Sequence, residues 1–324
     1  MSAALGVLAG CSMFDYSSMV SRKFALVYGV TMYVAAAGPS SPNLGYPAAD
    51  ASAVAVMLGG QGYAVTSRWV DAAGRIFVDG SYTGLTINDS AVDPNAPSKA
   101  AIQADLASLA PQVGPNDVVV FYFSGHGMTD GQNEWFVPYG GVDPTTGFGD
   151  KAASIEDTEF GGMLGVLGTP RKVVILDTCN SGGFIGNTLE VDAVPPSSGG
   201  GLHIVTPATI AKAIENYFTL QGSTGGISPY GGAMVVSAAG AAESCYETDT
   251  LGGKTIDHGV MTYYLLQAAG SGDLNKDGRT TALEAFSLVK AGIDTNWNGD
   301  PGVQAAGEEF EPRVSGGPVD FVIF

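Results

Sequence analysis

Apolar runs of strand length recur along the chain, with stretches of helical spacing between them. Phe24–Val30 (FALVYGV) is almost wholly apolar and predicts a buried strand, and Tyr63–Val70 predicts a second. Between them, residues 47–58 (PAADASAVAVML) read as a helix, opened by Pro47 and Asp50 and closed by Gly59-Gly60. Residues 71–96 are rich in turn formers and fit a hairpin. Over 98–110, Ile102, Leu106 and Leu109 share one helical face, with Ser98 placed to cap it. Asp117–Phe123 (DVVVFYF) is the clearest buried strand, and Lys172–Leu176 is the next, with a helix expected near 156–168. Ala233–Ser237 predicts another strand and Val260–Ala269 another helix. This alternation argues for an α/β fold with a mainly parallel central sheet and helices on both faces. In such sheets ligands bind beyond the carboxyl ends of the strands.

Residues 186–231 break the rhythm. Pro195-Pro196, Gly199–Gly201 and Gly225-Gly226 surround a helix candidate at 207–219, which reads as a surface insertion, with Lys212 as a candidate self-cleavage point. The first residues, MSAALGVLAGC, form an apolar run too short to span a bilayer. Its ending, Leu8-Ala9-Gly10-Cys11, resembles the tail of a bacterial lipoprotein signal, although no Lys or Arg precedes it. The resemblance implies lipidation of Cys11, a tether up to residue 23, and an extracytoplasmic place in the cell envelope (outer membrane or periplasm). The remaining residues, 24–324, are expected to form one domain.

Composition narrows the possibilities. Of 324 residues, 45% are hydrophobic, enough for a sizeable core, and 47 are glycine, which points to many tight turns. The net charge of −18 repels phosphate backbones, so nucleic acid is not an expected partner, whereas cations and basic peptide segments suit it. The three cysteines, Cys11, Cys179 and Cys245, are far apart and make no zinc motif.

Two of the apolar strands run into reactive residues: VVVFYF into Ser124-Gly125-His126-Gly127, and KVVIL into Asp177-Thr178-Cys179-Asn180-Ser181-Gly182-Gly183. A thiol nucleophile needs a nearby base, and adjacent parallel strands could bring His126 to Cys179, 53 residues later. Strand–SGHG followed by strand–D-x-C-x-S-G resembles the caspase, metacaspase and legumain peptidases, and the likeness covers roughly residues 24–270. It includes the opening strand, Asn43-Leu44 to Asp50-Ala51, Val235–Ala239, and Gly259–Leu266. The resemblance implies a caspase-like three-layer sandwich and a cysteine endopeptidase acting on polypeptides. Cys179 would be the nucleophile, His126 its acid–base partner, and the backbone N–H groups of Gly127 and Cys179 the oxyanion hole. His203, His258 and Cys245 match no motif and read as structural.

In metacaspases, acidic groups set a preference for basic residues before the scissile bond. The matching positions are Asp50, Ser124 and Asp177, although Ala49 stands where that motif carries Asn. Two carboxylates suit Arg or Lys and repel Asp. Legumain-like cleavage after Asn is an alternative, as is a non-catalytic calcium-binding surface module.

Residues 273–284 (DLNKDGRTTALE) follow the spacing of an EF-hand loop. Asp273, Asn275, Asp277 and Glu284 fall at positions 1, 3, 5 and 12, Gly278 at 6, the carbonyl of Arg279 at 7 and Thr281 at 9. The expected cofactor is a structural Ca²⁺ that takes no part in the chemistry.

Overall fold

The computed structural model describes residues 21–35, 42–129, 134–180, 233–238, 245–251, 254–315 and 320–324. Cys11, the 207–219 helix candidate and Lys212 lie outside the described residues.

The elements follow in order. Strand β1 (Lys23–Val30) leads to helix α1 (Pro47–Gly60) and β2 (Ala64–Val70), then to the hairpin β3 (Arg75–Val78) and β4 (Ser81–Thr86). Helix α2 (Lys99–Leu109), β5 (Val118–Thr129), β6 (Glu134–Val137), β7 (Ile155–Glu156), α3 (Asp157–Gly165) and β8 (Arg171–Asn180) come next. After β9 (Met234–Ser237) come the hairpin β10 (Glu247–Leu251) and β11 (Lys254–Gly259), α4 (Val260–Ser271), α5 (Ala282–Gly292), α6 (Pro301–Ala306) and β12 (Arg313–Ser315). Every helix and strand expected within the described residues is present.

The sheet runs in the order β12-β9-β8-β5-β1-β2-β3-β4. Its five central strands, β9 to β2, are parallel, while β12, β3 and β4 extend the edges antiparallel. The period-two alternation of a strand divides the core into two layers. Val119, Phe121 and Phe123 of β5 pack on one face with Ile102, Leu106 and Leu109 of α2 and Phe160 and Leu164 of α3. Val118, Val120 and Tyr122 pack on the other with Val54 and Leu58 of α1 and Val260, Met261 and Leu265 of α4. This is the expected sandwich. Ser98 caps α2, accepting from Ala101 N at 3.2 Å.

One boundary differs from the sequence reading. The glycines around His126 read as turns, yet β5 continues through SGHG to Thr129, and β8 continues through Asp177 and Cys179 to Asn180. Here β6 pairs antiparallel with residues 126–129 of β5, which holds them extended as strand rather than turn. A side chain at Gly125 would collide with the Tyr33 hydroxyl 2.6 Å away, so glycine lets the extended strand pass that ring.

Candidate active site

Register sets the site. Gly29 of β1, Ser124 of β5 and Asp177 of β8 pair across three parallel strands at one level. Two residues further along, His126 pairs with Cys179, so their backbones are neighbours at about the 4.8 Å strand spacing. Gly29 admits helix α1, since a Cβ there would collide with the Pro47 carbonyl oxygen. That close approach brings Asp50, in the first turn of α1, down onto Ser124.

His126 is fully buried. Its backbone N–H donates to the Tyr33 hydroxyl at 2.8 Å, which in turn donates to the Val137 carbonyl at 2.8 Å, and the two rings lie 4.7 Å apart. Its Nε2 sits 2.5 Å from the Pro42 carbonyl oxygen. A carbonyl only accepts, so this contact fixes the proton on Nε2 and leaves the lone pair on Nδ1. Nδ1 is buried with no partner among the described residues. Burial pushes the imidazole down to about 4, against the opposing pull of the Pro42 carbonyl, so the ring is neutral at pH 7. Such a ring is fixed, neutral and has one buried acceptor to spare.

Asp50, Ser124 and Asp177 do come together. The Ser124 hydroxyl donates to Asp50 Oδ2 at 2.9 Å, and the Gly259 N–H donates to Asp50 Oδ1 at 3.1 Å. Asp177 accepts from Thr262 through its N–H at 3.1 Å and its hydroxyl at 2.5 Å. Gly259 leaves the room Asp177 occupies, since a Cβ there would collide with its carboxylate. The replacement of Asn by Ala49 therefore does not displace Asp50, which the register of α1 on β1 places.

The structure adds groups that no motif indicated. Hairpin β10–β11 pairs Glu247 with Gly259 and Thr248 with His258 beside the sheet. His258 Nδ1 lies 2.8 Å from Asp50 Oδ1, so the histidine read as structural belongs to the site. Glu247 accepts from the N–H groups of Gly45 at 2.7 Å and Tyr46 at 3.0 Å, just before α1. The third added group is the Pro42 carbonyl. Only the position of His258, directly before the family-like Gly259-Val-Met-Thr262 run, offered any signal in the sequence. Cys245, by contrast, is buried in the core.

Asp50, Asp177 and Glu247 line one cleft with Ser124 and Gly259. Burial raises all three carboxyls, and the Asp50 charge adds to the rise of Asp177 and Glu247, which are each pushed up to about 7. For Asp50 itself the hydrogen bonds from His258, Ser124 and Gly259 oppose the rise. The cleft has about 10 Å³ of open space, room for about one water.

The EF-hand-like loop lies elsewhere. Asp273 accepts from Asp277 N and Gly278 N, and Glu284 accepts from Asn275 N and Thr281 N, with Gly278 at φ +85°. Among the described residues no three His, Cys, Asp or Glu side chains converge as a metal-holding group. Within the loop, Thr280 exchanges backbone hydrogen bonds with Ile323 and Phe324. The Ile323 carbonyl also accepts from Tyr63 and Lys23, at the amino ends of β2 and β1, so the loop is tied to the end of the sheet opposite the site.

A family model described as the caspase domain matches residues 22–299. No curated protein matches. Among solved structures, protein GSU0716 from Geobacter sulfurreducens is similar in fold, with a TM-score of 0.50 and 16% identity over 92% of this chain and 95% of its own. The family match spans the two central strands that carry His126 and Cys179, and the chain belongs to the caspase-domain family of cysteine peptidases.

Proposed function

We propose that the protein is an active cysteine endopeptidase that cuts after Arg or Lys. The observation that carries the catalytic half is the buried Nδ1, without a partner among the described residues, of a ring locked by the Pro42 carbonyl and in register with Cys179. The Cys179 thiol passes its proton to His126, and the thiolate adds to the scissile carbonyl. His126 then protonates the leaving amine, and water hydrolyses the thioester. N–H groups of Gly127 and Cys179 hold the oxyanion.

The specificity half rests on three carboxylates in one cleft. They disfavour an acidic P1 side chain and favour a cation that relieves their mutual repulsion. The cleft is narrow, so a long P1 side chain needs its wall of Tyr246 and Glu247 to open, the opposite wall being the sheet itself. Hydrolysis of fluorogenic peptides ending in Arg, Lys, Asn or Asp tests the reading. Turnover confined to Arg and Lys supports it, and no turnover of any of them overturns it.

The pH dependence has a definite sign. The folded-state values of the cleft carboxylates lie above the unfolded values near 4. For Asp177 and Glu247 the stabilising contribution is complete below about pH 4 and lost as pH rises through about 7, where ionisation sets buried like charges together, and Asp50 shifts in the same direction. A bound cation is held best in that ionised state. For an Arg substrate, kcat/KM is expected to rise between pH 5.5 and 8, with a midpoint near 7. A profile that is flat or falls over that interval sinks the carboxylate account.

For the loop at 273–284 the reading is a structural Ca²⁺ held by Asp273, Asn275, Asp277, the Arg279 carbonyl and Glu284. The donors are all hard oxygens, and the turn at Gly278 is already made. Its ties to residues 320–324, remote from the cleft, favour a staple over a switch. Ca²⁺ is expected to raise the Tm by a few degrees over EDTA, and Asp273→Ala to remove that rise. Equal Tm values for the unsubstituted protein in Ca²⁺ and EDTA contradict the site. Lipidation of Cys11 and an extracytoplasmic location complete the proposal.

A further inference from the structure

A second and roomier hollow, of about 280 Å³, lies next to the site. It shares no lining residue with the carboxylate cleft, and His126 stands between the two. The residue preceding His126, Gly125, lines the carboxylate cleft, while the His126 ring packs on Tyr33, which lines the hollow. The hollow is walled by Tyr33, Val92, Tyr139 and Val142, with Asp89 also lining it. Val92 is 50% exposed, and a Cβ on Gly140, across from it, would meet it at 2.8 Å.

The walls are tied in place by the backbone. Asp89 accepts from Ala35 N at 2.8 Å, Ala91 N donates to Asn88 O at 3.1 Å, and Tyr139 N donates to Pro97 O at 3.0 Å. The space is therefore formed before any ligand arrives, as binding clefts commonly are.

We infer that this hollow receives the substrate residues that follow the scissile bond, and that it selects an apolar side chain at P1′ or P2′. The inference rests on the peptidase reading. With the P1 side chain in the carboxylate cleft and the scissile carbonyl at Cys179 and His126, the chain beyond that bond leaves past the imidazole. On that side lies Tyr33, and behind it the hollow. Its aromatic and aliphatic walls suit Leu or Phe, and Asp89 together with the net charge of −18 disfavours an acidic residue.

The test compares two kinds of substrate with the same residues up to P1 Arg. One is an aminocoumarin amide, which has no residue beyond the scissile bond. The other is a set of internally quenched peptides with Leu, Phe, Gly or Asp at P1′ and P2′. Each kcat/KM is divided by the coumarin value of the same preparation. Leu or Phe is expected to exceed Asp by about tenfold or more. Val92→Trp, which fills the hollow, is expected to bring that ratio towards one. A flat profile in the unsubstituted enzyme, or an undiminished preference in Val92→Trp, overturns this inference while coumarin turnover preserves the peptidase reading. Absence of turnover on every substrate overturns both.

Discussion

Cys179→Ala is expected to reduce hydrolysis of an Arg substrate by at least about 10⁴-fold, to the limit of detection, because the substitution removes the group that forms the covalent intermediate. His126→Ala is expected to cost about 10²–10⁴-fold, the usual range for a positioned acid–base group. The ring's environment explains why its neighbours do not stand in for it. Its Nε2 is committed to the Pro42 carbonyl and its N–H to Tyr33, so the acceptor left over in that enclosure, among the described residues, is Nδ1. The measurement is kcat/KM at pH 8 with the Tm of each variant alongside. Activity within tenfold of the unsubstituted protein in either folded variant would remove the dyad.

Asp177→Asn is expected to lower kcat/KM for Arg and Lys substrates by about 10²–10³-fold, the scale of losing one partner of a buried charge pair. The substitution keeps the size of the side chain, and its amide oxygen can still accept from Thr262, as the carboxylate does. It also removes a charge that burial and Asp50 already make costly. The Tm at pH 8 is therefore expected to hold or rise while activity falls, a combination that general damage to the fold would not give. The loss should be larger at pH 8 than at pH 6, where the cleft is partly protonated. An Asp177→Asn variant that cuts after Arg as well as the unsubstituted protein does would show that P1 is read elsewhere.

Legibility in the sequence followed the range of the interactions involved. Strands β1, β5 and β8 announce themselves because both their faces are buried, so the apolar run is continuous. Helix α2 does so through the spacing of Ile102, Leu106 and Leu109 and the cap at Ser98. The pair of motifs named His126 and Cys179, and the family likeness named Asp50, Ser124 and Asp177. Hairpin β10–β11 had no such signature: Leu251 and Ile256 are its buried apolar side chains, and the rest of its pattern is polar. Glu247 and His258 went unread with it. Pro42 acts through a carbonyl that every residue possesses, so no residue type could mark it. The continuation of β5 through SGHG was hidden because glycine in a sequence reads as a turn, whereas pairing with β6 holds those residues extended.

The succession of strands and helices along the chain, the two-faced core and the candidate pair of His126 and Cys179 were thus legible in the sequence itself, since local periodicity and adjacent residues encode them. Tertiary structure decided which carboxylates share a cleft, which nitrogen of His126 stays free of a partner among the described residues and how far the central strands run. Those outcomes depend on contacts between segments as much as 209 positions apart, such as Gly259 on Asp50, and on how much water each group loses when the layers close. Burial and close approach, which exist only once the chain has folded, are what turn separate acidic residues and a histidine into a site.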